Sequence, residues 1–364
     1  MSEFIFRQAK SEDIPSCAKI YDRIADEQDA GRLTVGWVRG VYPTESDADT
    51  AFRNGELFVC ELDGAVVASA VINKKQVDVY AHARWTDTAG APENEVCVMH
   101  TLSVSPDLKR RGCGTAFEKF YEDYAASHGC RYLRIDTNAK NTRARRLYAN
   151  LGFREADVIP CTFNGIDSVQ LVCLEKRLPT VIRKYSPRDK EDMRFICRAT
   201  ADSVFKRSDA TRAAVTLIYN DYFTEREPEN IFVIADKNDR AVGYIICCAD
   251  FEKFEKAFRE AYIPKLIKTY PPFVFVAFYA IDAARRMSRH PHMHMDILPE
   301  YQRKGWGTRL INALREHLAK NGKDTLAVCG ARVGTPGYAM YTKYGFRTVK
   351  MRHGKIATLL IHNP

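Results

Sequence analysis

Two stretches of the chain carry one pattern. Lys109-Arg110-Arg111-Gly112-Cys113-Gly114-Thr115 and Gln302-Arg303-Lys304-Gly305-Trp306-Gly307-Thr308 are both basic, glycine-spaced segments. Each follows a strand-like run, Leu102-Ser103-Val104 in the first copy and Asp296-Ile297-Leu298 in the second, and each leads into a helix-like run. The downstream spacing matches too. Tyr148 lies 36 positions after Gly112, and Tyr341 lies 36 after Gly305; Gly-Phe-Arg triplets begin at Gly152 and Gly345, 40 positions on in both copies. Equal spacing over such a span is an internal repeat at domain scale. A 364-residue chain written this way is expected to fold as two domains of ordinary size.

The repeated segment has a physical task. A glycine-rich turn from a strand into a helix exposes backbone N–H groups at the positive end of the helix dipole, which makes a site for an anion. Glycine is needed there because a Cβ would hold a phosphate away from the backbone. Lys109, Arg110, Arg111, Arg303 and Lys304 add positive charge. No Gly-Lys-Ser/Thr occurs, so this is not a Walker loop, and Phe117 and Leu310 stand where the dinucleotide fingerprint has its third glycine.

Gln/Arg-x-x-Gly-x-Gly after a strand, followed by Asn-x-x-Ala-x-x-Leu-Tyr-x-x-x-Gly-Phe, resembles the GNAT N-acetyltransferases. The first copy reads Asn141-Thr-Arg-Ala144-Arg-Arg-Leu147-Tyr148-Ala-Asn-Leu-Gly152-Phe153 and departs in carrying Lys109 at the Gln/Arg position. The second keeps Gln302, but its later motif reads Gly334-Thr-Pro-Gly337-Tyr-Ala-Met-Tyr341, without the Asn and Ala. The resemblance covers nearly the whole chain. It implies an α/β (α+β) fold in two tandem domains, each a mixed, mostly antiparallel twisted sheet flanked by helices. It implies acetyl-CoA as cofactor, held by Leu102, Val104, Lys109, Arg110, Arg111, Gly112, Cys113, Gly114, Thr115 and Asn141 in the first domain. In the second, the corresponding residues are Ile297, Gln302, Arg303, Lys304, Gly305, Trp306, Gly307 and Thr308.

The coarse pattern places the domains at 1–176 and 181–364, with a linker at 177–180. Phe4-Ile5-Phe6 reads as a first strand and Ser11 as the cap of a helix reaching Asp26. Leu57–Glu61 and Ala65–Asn73 read as strands about an Asp63-Gly64 turn. Glu95–Val104 reads as the strand before the first loop, and Thr115–Ser127 as an amphipathic helix whose Phe117, Phe120, Tyr121 and Tyr124 face a core. Tyr132–Ile135 and Val169–Leu174 read as further strands. The second domain restarts at Val181-Ile182, has a helix start at Ser186-Pro187, and pairs Ile231–Ala235 with Ala241–Cys248. An insertion at about 250–287, part charged and helix-like, part apolar, precedes its loop strand. The resemblance suggests that this segment shapes the acceptor site; the plainer reading is helical padding.

Acetyl transfer from a thioester to an amine needs three things: N–H donors for the carbonyl, commonly from a bulged strand, a base for the ammonium proton, and an acid for the leaving thiolate. Tyr148 and Tyr341 occupy the superfamily's general-acid position. A phenol with a pKa of about 10 suits a thiolate of similar basicity. The candidate bases are His292 and His294, which alternation puts on one strand face, then His100 at the matching place in the first copy, and Glu95. His-x-His before the loop resembles arylalkylamine-type acetyltransferases. His290, His292, His294 and Asp296 also read as metal ligands, but a single strand closes poorly around an ion, and no metal is expected. Cys113 is matched by Trp306 in the second copy, so this slot is structural and direct transfer in a ternary complex is expected over a covalent acyl-cysteine.

Composition sets the remaining limits. The formal net charge is +9, but the charges are dispersed among acidic residues, which argues against a nucleic-acid partner and for capture of a polyanionic cofactor. No apolar run approaches the ~18 residues of a membrane helix. The 11 cysteines are scattered and Met1-Ser2-Glu3-Phe4 has no secretory pattern, so a reducing cytoplasmic location is expected. The expected activity is N-acetylation of a small-molecule primary amine by a monomer or homodimer. The alternatives are an acyl-CoA-binding sensor or scaffold with one or both domains inactive, or transfer of a longer acyl group.

Overall fold

The computed structural model describes residues 3–108 and 111–362. The chain divides into two compact units, Met1–Pro179 and Thr180–Pro364. The first contains, in chain order, β1 (Ile5–Gln8), α1 (Ile14–Asp29), α2 (Glu45–Arg53), β2 (Leu57–Leu62), β3 (Ala65–Asn73), β4 (Val96–Val104), α3 (Cys113–Ser127), β5 (Tyr132–Asn138), α4 (Thr142–Asn150), β6 (Arg154–Phe163) and β7 (Ile166–Arg177). Its seven strands lie in the order β1-β2-β3-β4-β5-β7-β6. Every pair is antiparallel except β4 with β5.

Local chemistry accounts for these elements. Asp63 and Gly64 both have left-handed φ angles (52° and 79°), as a two-residue hairpin turn between β2 and β3 requires. α1 buries Cys17, Ile20, Tyr21 and Ile24, one stripe at helical spacing. α3 begins at Cys113, two residues earlier than its apolar pattern suggests, because Gly112 at φ 77° caps it. Phe117 and Tyr121 of α3 are fully buried, and the Tyr121 hydroxyl donates to Cys97 O at 2.7 Å.

β4 and β5 are paired only from Val96–Met99 to Tyr132–Ile135. Both strands run on, to Val104 and Asn138, while β5 stays paired with β7 along its whole length. A gap therefore opens in the middle of the sheet, with unpaired backbone on both sides. On its other edge β4 is bulged: Ser103 faces Ser69 and His100 faces Val71, so Thr101 and Leu102 together stand opposite Ala70. Thr101 is at φ 53°, the left-handed conformation a bulge imposes.

The second unit comprises β8 (Val181–Lys184), α5 (Lys190–Thr200), α6 (Asp209–Tyr219), α7 (Asp221–Arg226), β9 (Phe232–Ala235), β10 (Ala241–Cys248), α8 (Phe251–Ala257), α9 (Ile263–Thr269), α10 (Val274–Arg285), β11 (His292–Ile297), α11 (Trp306–Lys320), β12 (Thr325–Arg332), α12 (Pro336–Tyr344), β13 (Arg347–Arg352) and β14 (Ile356–His362). The sheet order, β8-β9-β10-β11-β12-β14-β13, repeats the first strand for strand. The parallel pair is again short, His292 with Ala327 and Met293 with Val328. Here β11 pairs with β10 in unbroken register, without a bulge. The insertion forms α8, α9 and α10, with a π-helical turn at Phe258–Tyr262. Pro264 in the first turn of α9 accounts for that turn, since it has no N–H to continue the helical ladder. Among the described residues no helix is long and apolar enough to cross a membrane, and the 11 cysteines are free thiols.

Candidate active site

From their first glycine on, the two loops are alike. Gly112 and Gly305 cap their helices at φ 77° and 80°, where any side chain would be strained. Gly112 and Thr115 are exposed, as are Gly305 and Thr308, while Cys113 and Trp306 are buried. The Cys113 thiol lies 4.0 Å from that of Cys60, within the core. A Cβ on Gly114 would stand 3.3 Å from Leu147 of α4, so this glycine lets α3 pack against α4. The first four N–H groups of a helix have no partner within it, which leaves those of α3 and α11 to face an anion. Lys109 and Arg110 lie outside the described residues. In the second loop, Gln302 Nε2 donates to Ile297 O at 2.7 Å, tying the loop back to β11. Lys304 lies over Tyr301 and Arg309 over Trp306.

In the first unit the loop opens into a cavity of about 310 Å³, lined by Val104, Gly112, Cys113, Gly114 and Thr115 and closed by α4. A second cavity of about 400 Å³ lies on the other side of the gap between β4 and β5. Leu102, Asn141, Ala144 and Tyr148 line both, as do Val35 and Trp37 from the loop after α1. Gln28 holds that loop in place: its Oε1 accepts from the Val35 and Gly36 N–H groups, and its Nε2 donates to Trp37 O. Asn141 caps α4 by accepting from the Ala144 N–H at 3.1 Å. Tyr148 is 4% exposed, at the junction, with its ring 5.8 Å from Phe153. Burial pushes its phenol well above the usual value, with the nearby carboxylates of Asp136 and Glu118 adding to the shift, so it stays protonated.

The larger cavity sets carboxylates among apolar side chains such as Trp37, Val71 and Leu171. Asp47, Glu56 and Asp136 line it, with Lys75 paired to Glu56 at 2.8 Å. His100 faces into it, with Nδ1 3.7 Å from Asp136 on β5. Asp136 also accepts from Tyr80 at 2.7 Å, and the Tyr42 hydroxyl is hydrogen-bonded to Thr101 at the bulge. Glu95 does not join this group. It sits in a 3₁₀ turn before β4, five residues upstream of His100, or roughly 16 Å along an extended strand.

The second unit brings His292, His294 and Asp296 to one cavity of about 390 Å³. His294 Nε2 lies 3.0 Å from Asp296 Oδ2, which also accepts from Tyr244 at 2.6 Å. Burial pulls the His294 imidazole down, but the adjacent Asp296 carboxylate outweighs it, and the pKa ends above the ordinary value. His292 behaves differently. Its ring packs against Phe251 and Phe254, and burial lowers its pKa to about 4. His294 and His100 are structural counterparts although they stand 11 and 12 residues before their loop glycines (305 and 112). The Thr101 bulge absorbs the extra residue. The carboxylate partner has changed strand, from Asp136 on β5 to Asp296 on β11 itself. Tyr341 keeps the ring contact of its counterpart, 5.6 Å to Phe346, and burial raises its phenol too. The missing Asn is replaced one residue later by Thr335, whose hydroxyl accepts from the Tyr338 N–H and caps α12.

The family model of the acetyltransferase (GNAT) family matches the chain twice, over residues 23–153 and 199–346. An uncharacterized N-acetyltransferase of Methanocaldococcus jannaschii is 30% identical over 102 residues, which is 28% of this chain and 40% of that relative. Among solved structures, SsHAT is 22% identical with a TM-score of 0.46, covering 50% of this chain and 98% of that one. The yncA protein of Salmonella typhimurium, solved with acetyl-CoA, is 16% identical with a TM-score of 0.37, covering 49% and 95%. The two family matches fall one in each unit and together span more than half of the sequence: the chain belongs to the GNAT acetyltransferases, with two GNAT domains in tandem.

Proposed function

We propose that the chain is an acetyl-CoA-dependent N-acetyltransferase whose first unit acetylates a small, polar primary amine. The observation that supports this most is the meeting of two cavities at Tyr148, one opening from the anion-binding loop and the other lined by carboxylates. The residues fit the cofactor: the N–H groups of residues 112–115 would hold its diphosphate, and the diverging strands β4 and β5 offer unpaired backbone along the way to Tyr148. Acetyl-CoA supplies an acetyl thioester and a thiolate leaving group.

The chain's own residues divide the work. Asp47, Glu56 and Asp136 draw a cationic amine into the larger cavity. His100 takes the ammonium proton, and Asp136 positions its ring. Thr101 and Leu102, displaced from the regular β3 ladder, supply N–H donors for the oxygen on which charge develops. Tyr148, kept protonated by burial, is the proton donor at the junction. Cys113 has its thiol against Cys60 in the core and takes no covalent part, which leaves direct transfer. Screening an amine library by mass spectrometry tests the reading. Acetylation of a polar amine should disappear in Gly112→Glu and persist in Gly305→Glu. Acetylation of nothing, or acetylation that survives Gly112→Glu, would overturn it.

A further inference from the structure

We propose that Lys184 of the second unit is a self-acylation site: its amine takes the acyl group of a small acyl thioester, with His317 as the base. This site is separate from the cavities at Tyr148 and His294, and it does not rest on transfer to an amine acceptor.

A chain of hydrogen bonds fixes the geometry. Lys184 ends β8; its Nζ donates to Glu229 O at 2.7 Å and lies 3.1 Å from His317 Nδ1 on α11. The tautomer of His317 follows from its other partner. Glu227 accepts from Asn230 Nδ2 at 3.0 Å, as well as from the Tyr222 hydroxyl and the Ala249 N–H. Asn230 therefore turns its carbonyl oxygen to His317 Nε2, 3.0 Å away, and Nε2 carries the hydrogen. That leaves Nδ1 with its lone pair toward Lys184. The Asn321 amide, 3.4 Å from the same nitrogen, is again a donor. A nucleophile, a base within reach and a group that orients the base are the parts of an activated nucleophile.

The surroundings favour the free amine. Lys184 and His317 face one open groove with Tyr185, Lys190, Thr224 and Glu229. The Phe232 ring lies 4.1 Å from Nζ. Burial pulls the Lys184 amine down to about 8, although the Glu229 carboxylate opposes the shift. Lys190 is paired instead with Glu225 at 2.8 Å. The first unit shows that the fold needs none of this. Gln8 ends β1 opposite Phe58 as Lys184 ends β8 opposite Phe232, and Gln8 donates to Gly55 O at the same 2.7 Å. Tyr124 stands 12 residues after Gly112, where His317 stands 12 after Gly305. An amide and a phenol serve the packing there; the amine and imidazole add chemistry.

The step balances. The lone pair of the neutral amine attacks the thioester carbonyl, the C–N bond forms, and the C–S bond breaks with its electron pair on sulfur. One Nζ proton passes to His317 Nδ1 and on to the thiolate, which leaves an amide and a thiol. The amide keeps one N–H for Glu229 O, as Gln8 keeps one for Gly55 O.

Peptide mass spectrometry of the full chain incubated with the acetyl thioester of N-acetylcysteamine tests this. At about pH 7.5, Lys184 should be acetylated at least about tenfold faster than Lys190. His317→Gln and His317→Tyr should each bring Lys184 down to the rate of Lys190 and leave the other lysines unchanged. The rate per chain should not vary with protein concentration. A Lys184 no faster than Lys190, or equally fast in both variants, would overturn the proposal. So would a rate that rises in proportion to protein concentration, since it marks transfer by another copy of the chain. Should one variant fail to fold, as seen by near-ultraviolet circular dichroism, the other variant and the comparison with Lys190 decide. The probe has no diphosphate, so the result stands whether or not the loops bind acetyl-CoA.

Discussion

Replacing Tyr148 by Phe removes one oxygen at the place where the two cavities of the first unit meet. The ring stays, and with it the contact to Phe153 at 5.8 Å, so fold and cofactor pocket should be preserved. In the proposed mechanism the lost atom is the proton donor. Burial holds the phenol above its usual pKa of about 10, so the wild-type residue is protonated throughout the neutral and mildly alkaline range. Loss of a positioned general acid costs about 10²-fold in kcat, or about 2.7 kcal/mol of transition-state stabilisation. The dissociation constant for acetyl-CoA should move by less than about twofold, because an interaction used only in the transition state leaves ground-state binding alone. Product should be quantified by chromatography. A thiol reagent would also report the protein's own 11 cysteines. An unchanged kcat with an acceptor of the first unit would refute the role. A parallel loss of acetyl-CoA affinity would instead make Tyr148 a packing residue. Tyr148 should add no alkaline limb to the rate profile below about pH 10, since that would need an unshifted phenol.

Gly112→Glu should abolish acetyl-CoA binding to the first unit, because it strains a φ of 77° and sets a carboxylate against the diphosphate; Gly305→Glu should do the same to the second, so calorimetry of both variants gives the number of sites and which is tighter. Transfer in the second unit should rise with pH through a group above 6.5, the raised imidazole of His294, and Asp296→Asn should move that limb to lower pH. An unmoved limb would place the titrating group elsewhere. His292 gives a stability test. Its folded pKa of about 4 lies below its unfolded value of about 6.5, so the unfolded chain binds more protons between the two. The second unit should therefore lose up to about 3 kcal/mol as pH falls from about 6.5 to about 4. His292→Phe should flatten this dependence in denaturant titrations; an equally steep slope would contradict the burial argument.

Much of the candidate site is local in sequence. The loop glycines sit at fixed offsets from Tyr148 and Tyr341, and the alternation His292-Met293-His294-Met295-Asp296 puts three polar groups on one strand face. What could not be read depends on register between distant strands. The Thr101 bulge exists only relative to Ala70 on β3, although the twelve-residue spacing from His100 to Gly112, against eleven from His294 to Gly305, hinted at an extra residue. Asp136 reaches His100 across a parallel strand pair, and Val35 and Trp37 reach the site only because Gln28 ties their loop back to α1. α2, α6 and α7 are short, and an amphipathic helix of two or three turns carries little periodicity to count. The insertion's three helices were blurred by the π-helical turn that Pro264 enforces. Glu95 borders strand-like neighbours in sequence but sits in the turn before β4. The second copy lacks the motif's Asn and Ala, and Thr335 supplies the helix cap one residue on.

A crystal structure of the full chain with CoA and a polar amine tests the central claim most directly. The expected result is diphosphate density against the N–H groups of residues 112–115, sulfur between β4 and β5 within hydrogen-bond reach of the Tyr148 hydroxyl, and the amine on the His100 and Asp136 side. CoA bound away from that loop, or a sulfur that Tyr148 cannot reach, would contradict it.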